Sequence, residues 1–219
     1  MQIRSVVFDV GETLINESRI FARWADRLGV PHLTFFAIIG GVLAQGRPLG
    51  DAFDVIRPGI DVNAEITAWR AEEPESLREN FDAEDLYPDV RPTLRRLRET
   101  GLGVLVAGNQ PTRAEPALVA MRLPVDAIHV SDVWGVAKPD PAFFDRVRHE
   151  ADVKPEEILY VGDRVDNDVL PAKAAGMRAA LLRRGPWGYL HAELPEAAHA
   201  DVILDGLAEL PAWLADHAR

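Results

Sequence analysis

The chain has 219 residues, 47% hydrophobic and 27% charged, with a formal net charge of −11; this is ordinary globular composition, with length for one domain plus an insertion. The acidic balance argues against nucleic acid or an anionic membrane as partner, since both need a basic footprint, and an anionic substrate would need a local cation or metal. Cysteine is absent, which excludes disulfides, thiolate metal sites and a cysteine nucleophile; no leader pattern precedes the first strand, and the apolar stretch Leu33 to Leu43 is too short for a bilayer, so a cytoplasmic location is expected.

The first element is a strand. Ile3, Val6, Val7 and Phe8 form an almost continuous apolar run, as in a strand covered on both faces, and it ends on one carboxylate, Asp9. After Leu14 the period changes: Ile20, Trp24 and Leu28 fall on one helix face, closed by Gly29 and Pro31. Phe35 to Leu43 is a second apolar helix, expected to break near Gly40-Gly41, and Asp51 to Ile56 and Ala64 to Leu77 suggest more. No strand-like alternation occurs between Asn16 and Phe81. Residues 16–82 therefore read as an all-helical insertion into an α/β body formed by residues 1–15 and 83–219.

From Tyr87 strands and helices alternate. Thr93 to Thr100 is a helix, Gly103 to Ala107 a strand, Pro111 to Met121 a helix and Ala127 to Val130 a strand. Asp140 and Pro141 open a helix over Ala142 to Glu150. Glu157 to Val161 is a strand, Asp168 to Ala175 a helix, Ala179 to Leu182 and Val202 to Leu204 further strands, and Leu207 to His217 a last helix. This order predicts an α/β fold with a doubly wound parallel sheet.

Four strand ends carry polar residues of note. They are Asp9, then Gly108-Asn109, then Lys138 in Lys138-Pro139-Asp140-Pro141, then Gly162-Asp163 followed by Asp166, Asn167 and Asp168. In a parallel sheet these ends share one edge. Carboxylates a few ångströms apart resist joint ionisation unless a cation neutralises them. Hard oxygen ligands with room for water suit magnesium. A nucleophilic carboxylate beside magnesium and a lysine is equipment for phosphoryl transfer through an aspartyl-phosphate.

Phe8-Asp9-Val10-Gly11-Glu12-Thr13-Leu14, Asn109, Lys138-Pro139-Asp140-Pro141 and Gly162-Asp163 through Asp168 resemble the four ordered motifs of the haloacid dehalogenase-like (HAD) hydrolase superfamily. The insertion resembles that family's C1 cap, on a Rossmann-like HAD core. The resemblance implies Asp9 as nucleophile and magnesium ligand, and Gly11 as a backbone carbonyl ligand. It implies Asp163 as a metal ligand, Asp168 as a ligand or outer partner, Lys138 as the charge-balancing lysine, and Thr13 as support for the loop. Gly108, Asn109 and Lys138 would contact the substrate, a small phosphorylated metabolite. Asp166 is read as a surface acid.

Two positions depart from the pattern. HAD phosphatases carry a second Asp two residues after the nucleophile, as acid to the leaving group and base to water; here that position is Gly11. A positioned acid–base group contributes about 10²–10⁴-fold. Adjacent Glu12 is not assumed to replace it. The second motif usually offers a hydroxyl to the phosphate, and Gly108 leaves only an N–H. Three readings follow: a magnesium-dependent phosphatase whose acid comes from the cap or whose substrate needs none; a HAD-fold binding or regulatory protein with little turnover; and, ranked lower because Gly162-Asp163 is a magnesium signature, a dehalogenase or phosphonatase. Trp24, Phe35, Phe36 and Trp69 are assigned to a core rather than to the lining of the opening, and His129 to a structural place in or beside the third strand; Arg183 to Gly188 follows a strand and could approach the site edge, but is given no role. The sequence leaves substrate identity and oligomeric state open.

Overall fold

The computed structural model describes residues 2–217. They form two compact units, one from residues 2–16 and 86–217, the other Glu17–Asp85.

The first unit is built on a six-stranded, all-parallel sheet of β1 (Ser5–Phe8), β2 (Gly103–Gly108), β3 (Ala127–Val130), β4 (Ile158–Gly162), β5 (Arg178–Leu182) and β6 (Val202–Leu204). The order is β3-β2-β1-β4-β5-β6. The chain winds outward one way from β1, then jumps back to β4 and winds the other way. The switch point, where such sheets bind ligands, therefore lies between β1 and β4. Every side chain of β1 is buried, which explains why the strand reads as an apolar run without alternation. Phe8 lies opposite Val106 and Val161, so Asp9 leaves the sheet level with Ala107 and Gly162.

In the second unit, α1 (Ser18–Leu28), α2 (His32–Ala44), α3 (Gly50–Ile56) and α4 (Val62–Glu72) pack on an aromatic cluster. Trp24 meets Phe53 and Trp69 edge-on at 4.9 and 5.2 Å, and Phe35 meets Phe53 at 5.2 Å. Such pairs add to the large area each ring removes from water. Trp24, Phe35 and Trp69 are buried as expected, whereas Phe36 is exposed. Helix α2 runs unbroken through Gly40-Gly41: the buried face of Ile39, Val42 and Leu43 outweighs the roughly 1 kcal/mol propensity cost of each glycine. Helix α4 stops at Glu72, short of Leu77, because Pro74 drives Glu73 out of the helical region (φ −130°, ψ 66°). Asp61 caps its start by accepting the Ala64 N–H.

The sheet's own helices are α5 (Val90–Glu99), α6 (Ala114–Ala120), α7 (Ser131–Trp134), α8 (Pro141–Ala151), α9 (Leu170–Ala174), α10 (Gly185–Ala192) and α11 (Leu210–His217). Helix α5 starts three residues before the sequence expectation, since Pro92 fits the first turn, where an N–H has no helical acceptor anyway. The predicted helix from Asp168 begins instead with a wide turn over Val165–Val169. His129 sits in β3, stacked on Trp134 at 4.8 Å. No single helix among the described residues is long and apolar enough to cross a membrane.

Candidate active site

Three carboxylates and one ammonium meet at the carboxyl ends of β1 and β4. Lys138 Nζ donates to Asp9 Oδ1 and to Asp168 Oδ1, each at 2.6 Å. Asp9, Asp163 and Asp168 are buried, and each offers an oxygen within 4.8 Å of the others. Asp9 and Asp163 directly follow β1 and β4, which the register holds side by side. Lys138 arrives from the loop after α7, across β2.

Asn109 explains how the lysine is aimed. Its Nδ2 donates to the Lys138 carbonyl at 2.8 Å, and its Oδ1 accepts the Lys138 N–H at 2.7 Å. The amide that the sequence assigns to substrate thus brackets the lysine's own backbone. Asp168 is equally committed, since its Oδ2 accepts the Arg164 N–H at 2.9 Å while Oδ1 takes the ammonium. Both bonds are made from within the wide turn Val165–Val169.

The two glycines at the strand ends make the crowding possible. A Cβ at Gly108 would lie 2.5 Å from Asp9 Oδ1, and one at Gly162 would lie 2.2 Å from Asp168 Oδ2. Gly108 is therefore more than a missing hydroxyl. With Asp9 in this position, no side chain fits there.

Burial sets the electrostatics. It pushes the Asp168 carboxyl up to about 6, against the pull of the Lys138 ammonium. Burial alone would lower Lys138, but Asp168 and Asp9 overrule it and hold the ammonium well above its usual value. The Tyr160 hydroxyl, raised by burial, donates to the Ala107 carbonyl at 2.7 Å, and its ring lies 5.3 Å from Lys138 Nζ. One ammonium against three carboxylates leaves excess negative charge in a dry place. A hard divalent cation fits that oxygen donor set. Asp166 is exposed and paired with Arg164.

Sequence reasoning gave no role to a second group beside the turn Gly11–Thr13. Glu12 is buried at a φ of 48° and accepts a short hydrogen bond from the Tyr87 hydroxyl. Arg184 donates to the Thr13 carbonyl at 3.1 Å. The one signal was the Arg183-Arg184-Gly185-Pro186 run directly after a strand; nothing in it marks Arg184 as buried or pairs it with Tyr87 and Glu12.

Comparison with known proteins identifies the class. The profile of the haloacid dehalogenase-like hydrolases matches residues 3–176, and the chain belongs to that family. A glyceraldehyde 3-phosphate phosphatase from Methanopyrus kandleri is 39% identical over 104 residues, 46% of this chain and 45% of that one. A phosphoglycolate phosphatase from Pseudomonas putida is 32% identical over 98% of this chain and 81% of its own. In fold, the chain superposes with a TM-score of 0.71 and 17% identity on a HAD-hydrolase from Bacillus subtilis crystallised with magnesium, covering 98% of this chain and 99% of that one.

Proposed function

We propose that this HAD hydrolase is a magnesium-dependent phosphatase of small phosphorylated metabolites, working through an aspartyl-phosphate on Asp9. One observation carries the reading: the Lys138 ammonium lies between Asp9 and Asp168, with Asp163 in the same carboxylate set. Asp9, Asp163, Asp168 and the Gly11 carbonyl would hold Mg²⁺, which when bound supplies positive charge to the phosphoryl oxygens. An Asp9 carboxylate oxygen attacks phosphorus and the bond to the leaving oxygen breaks. Water then attacks the same phosphorus, releasing phosphate and regenerating the carboxylate. Lys138 offsets the charge that Asp9 and phosphate bring together, and Asn109 keeps it aimed. Residues 16–82 act as a C1-type cap in this reading.

Gly11 narrows the substrate. With no carboxylic acid at that position, the leaving oxygen departs most easily as a stable anion. Acyl and aryl phosphates meet that requirement better than alkyl esters. The names of the relatives point to small phosphorylated acids and aldehydes, which supports the size class and sets the contrast to measure. Purified protein with magnesium is expected to hydrolyse acetyl phosphate or p-nitrophenyl phosphate faster than 2-phosphoglycolate. Asp9→Asn is expected to lower the rate by about 10³-fold or more, the scale on which nucleophile deletions act. Turnover that survives Asp9→Asn overturns the reading.

The joint presence of Gly11 and Gly108 favours a second reading, a HAD-fold binding protein with little turnover. Phosphate esters that bind without being hydrolysed would decide for it.

A further inference from the structure

The turn that follows the nucleophile is held by residues outside the four motifs. Glu12 sits at φ 48°, the left-handed region that non-glycine residues adopt only when their surroundings impose it. Two groups do so. The Tyr87 hydroxyl donates to Glu12 Oε2, and the Arg184 guanidinium donates from Nη1 to the Thr13 carbonyl at 3.1 Å. The two are joined to each other, since the guanidinium lies over the Tyr87 ring at 4.2 Å.

The arrangement is anchored and fitted. The other side of Arg184 donates to Asp89, whose Oδ2 also accepts the Leu207 N–H at 2.8 Å. Gly185, itself at φ +57°, leaves the room that Glu12 needs: a Cβ there would lie 2.4 Å from Glu12 Cγ. Glu12 and Arg184 are 5% and 8% exposed. Within the turn, Val10 O accepts the Leu14 and Ile15 N–H groups, and Glu12 N–H donates to Ile15 O. The peptide of Gly11 lies between an internally closed turn and an externally fixed Glu12.

We infer that Tyr87 and Arg184 are positioning residues that clamp the Gly11–Thr13 turn through Glu12 and Thr13. They set the direction of the Gly11 carbonyl beside Asp9. The inference rests on the proposed reading of Asp9 and Gly11 as the reacting and metal-holding positions. Its chemistry is a hydrogen-bond and stacking device, and a one-ångström misplacement of a reacting group is costly.

The test uses Tyr87→Phe, which keeps the ring under the guanidinium and removes only the donor to Glu12, together with Arg184→Met and Arg184→Lys. Three quantities are read in the full-length protein: melting temperature, Mg²⁺ affinity by calorimetry, and kcat and KM for p-nitrophenyl phosphate. In Tyr87→Phe, near-wild-type melting is expected with kcat down about tenfold, KM within twofold and Mg²⁺ binding several-fold weaker. Arg184→Met is expected to lose more of the same quantities, and Arg184→Lys to recover part of them. If Arg184→Met does not fold, Tyr87→Phe and Arg184→Lys decide. A wild type that binds Mg²⁺ and turns over, with Tyr87→Phe and Arg184→Lys matching it within twofold in kcat and Mg²⁺ affinity, overturns the clamp alone. A wild type that neither binds Mg²⁺ nor turns over overturns the functional reading and the clamp with it.

Discussion

The sheet edge and the helical unit Glu17–Asp85 use charge in opposite ways. At the sheet edge one lysine is buried between two carboxylates, with side chains 1% and 12% exposed in the Lys138–Asp9 pair. In the helical unit, Arg27 pairs with Glu72 and Arg47 with Asp51, each pair with at least one member well exposed to solvent. Water screens the second set, so each pair there contributes little, whereas the first set is uncompensated if any member leaves. Similar side chains thus organise a reacting centre in one place and dress a surface in the other. The helical unit is held instead by its rings.

Lys138→Met is the strongest way to break that contrast. It leaves Asp9 and Asp168 facing each other without a cation. A loss of about 3–5 kcal/mol in urea unfolding is expected, on the scale of a broken buried pair, with kcat down by about 10²–10³-fold, as when an oriented charge-stabilising group is removed. A variant as stable as wild type would show that the ammonium is not balancing the carboxylates. Trp24→Ala tests the other side. Trp24 is at the centre of the aromatic cluster, and about 3–5 kcal/mol is expected from a large-to-alanine core change, read as a lowered thermal transition.

The fold was legible in the sequence to the extent that parallel strands must be apolar throughout. Each of the six strands lies within a residue or two of where the apolar runs put it. Helix limits were less so, because Pro74 and Pro92 act through local geometry that periodicity does not encode. At the site, strand ends brought Asp9, Lys138 and Asp163 to one edge by topology alone. Asn109 and Asp168 could be placed but not given partners, since their hydrogen bonds depend on loop paths after β2 and β4. Glu12, Tyr87 and Arg184 were hidden for a related reason. They meet only because β5 and the return from the helical insertion end near the same turn, a long-range coincidence without local pattern.

Two smaller measurements sharpen the comparison. His191 Nδ1 accepts the Val165 N–H at 3.0 Å, within the turn that carries Asp168. Burial holds this imidazole below its usual value. The unfolded chain therefore takes up the proton first as pH falls below about 6.5, so this contribution to stability is complete above that pH and is lost on acidification. His191→Gln is expected to flatten the stability profile between pH 7 and pH 5.5 in chemical unfolding. Arg47→Ala removes an exposed i,i+4 pair and is expected to change stability by less than about 0.5 kcal/mol with turnover unchanged. A larger effect would mean that the surface pairs of the helical unit are more than solvated charges.

The lysine that reaches Asp9 does so across 129 positions of sequence, from a loop that must first pass over β2. Only a fragment that spans residues 9–138 can contain this contact. The closing of so long a loop is entropically slow and rewarded only once the central strands have paired. Recovery of turnover during refolding should thus trail the return of helical signal, and a truncated body lacking β4 would bring back secondary structure while remaining inert.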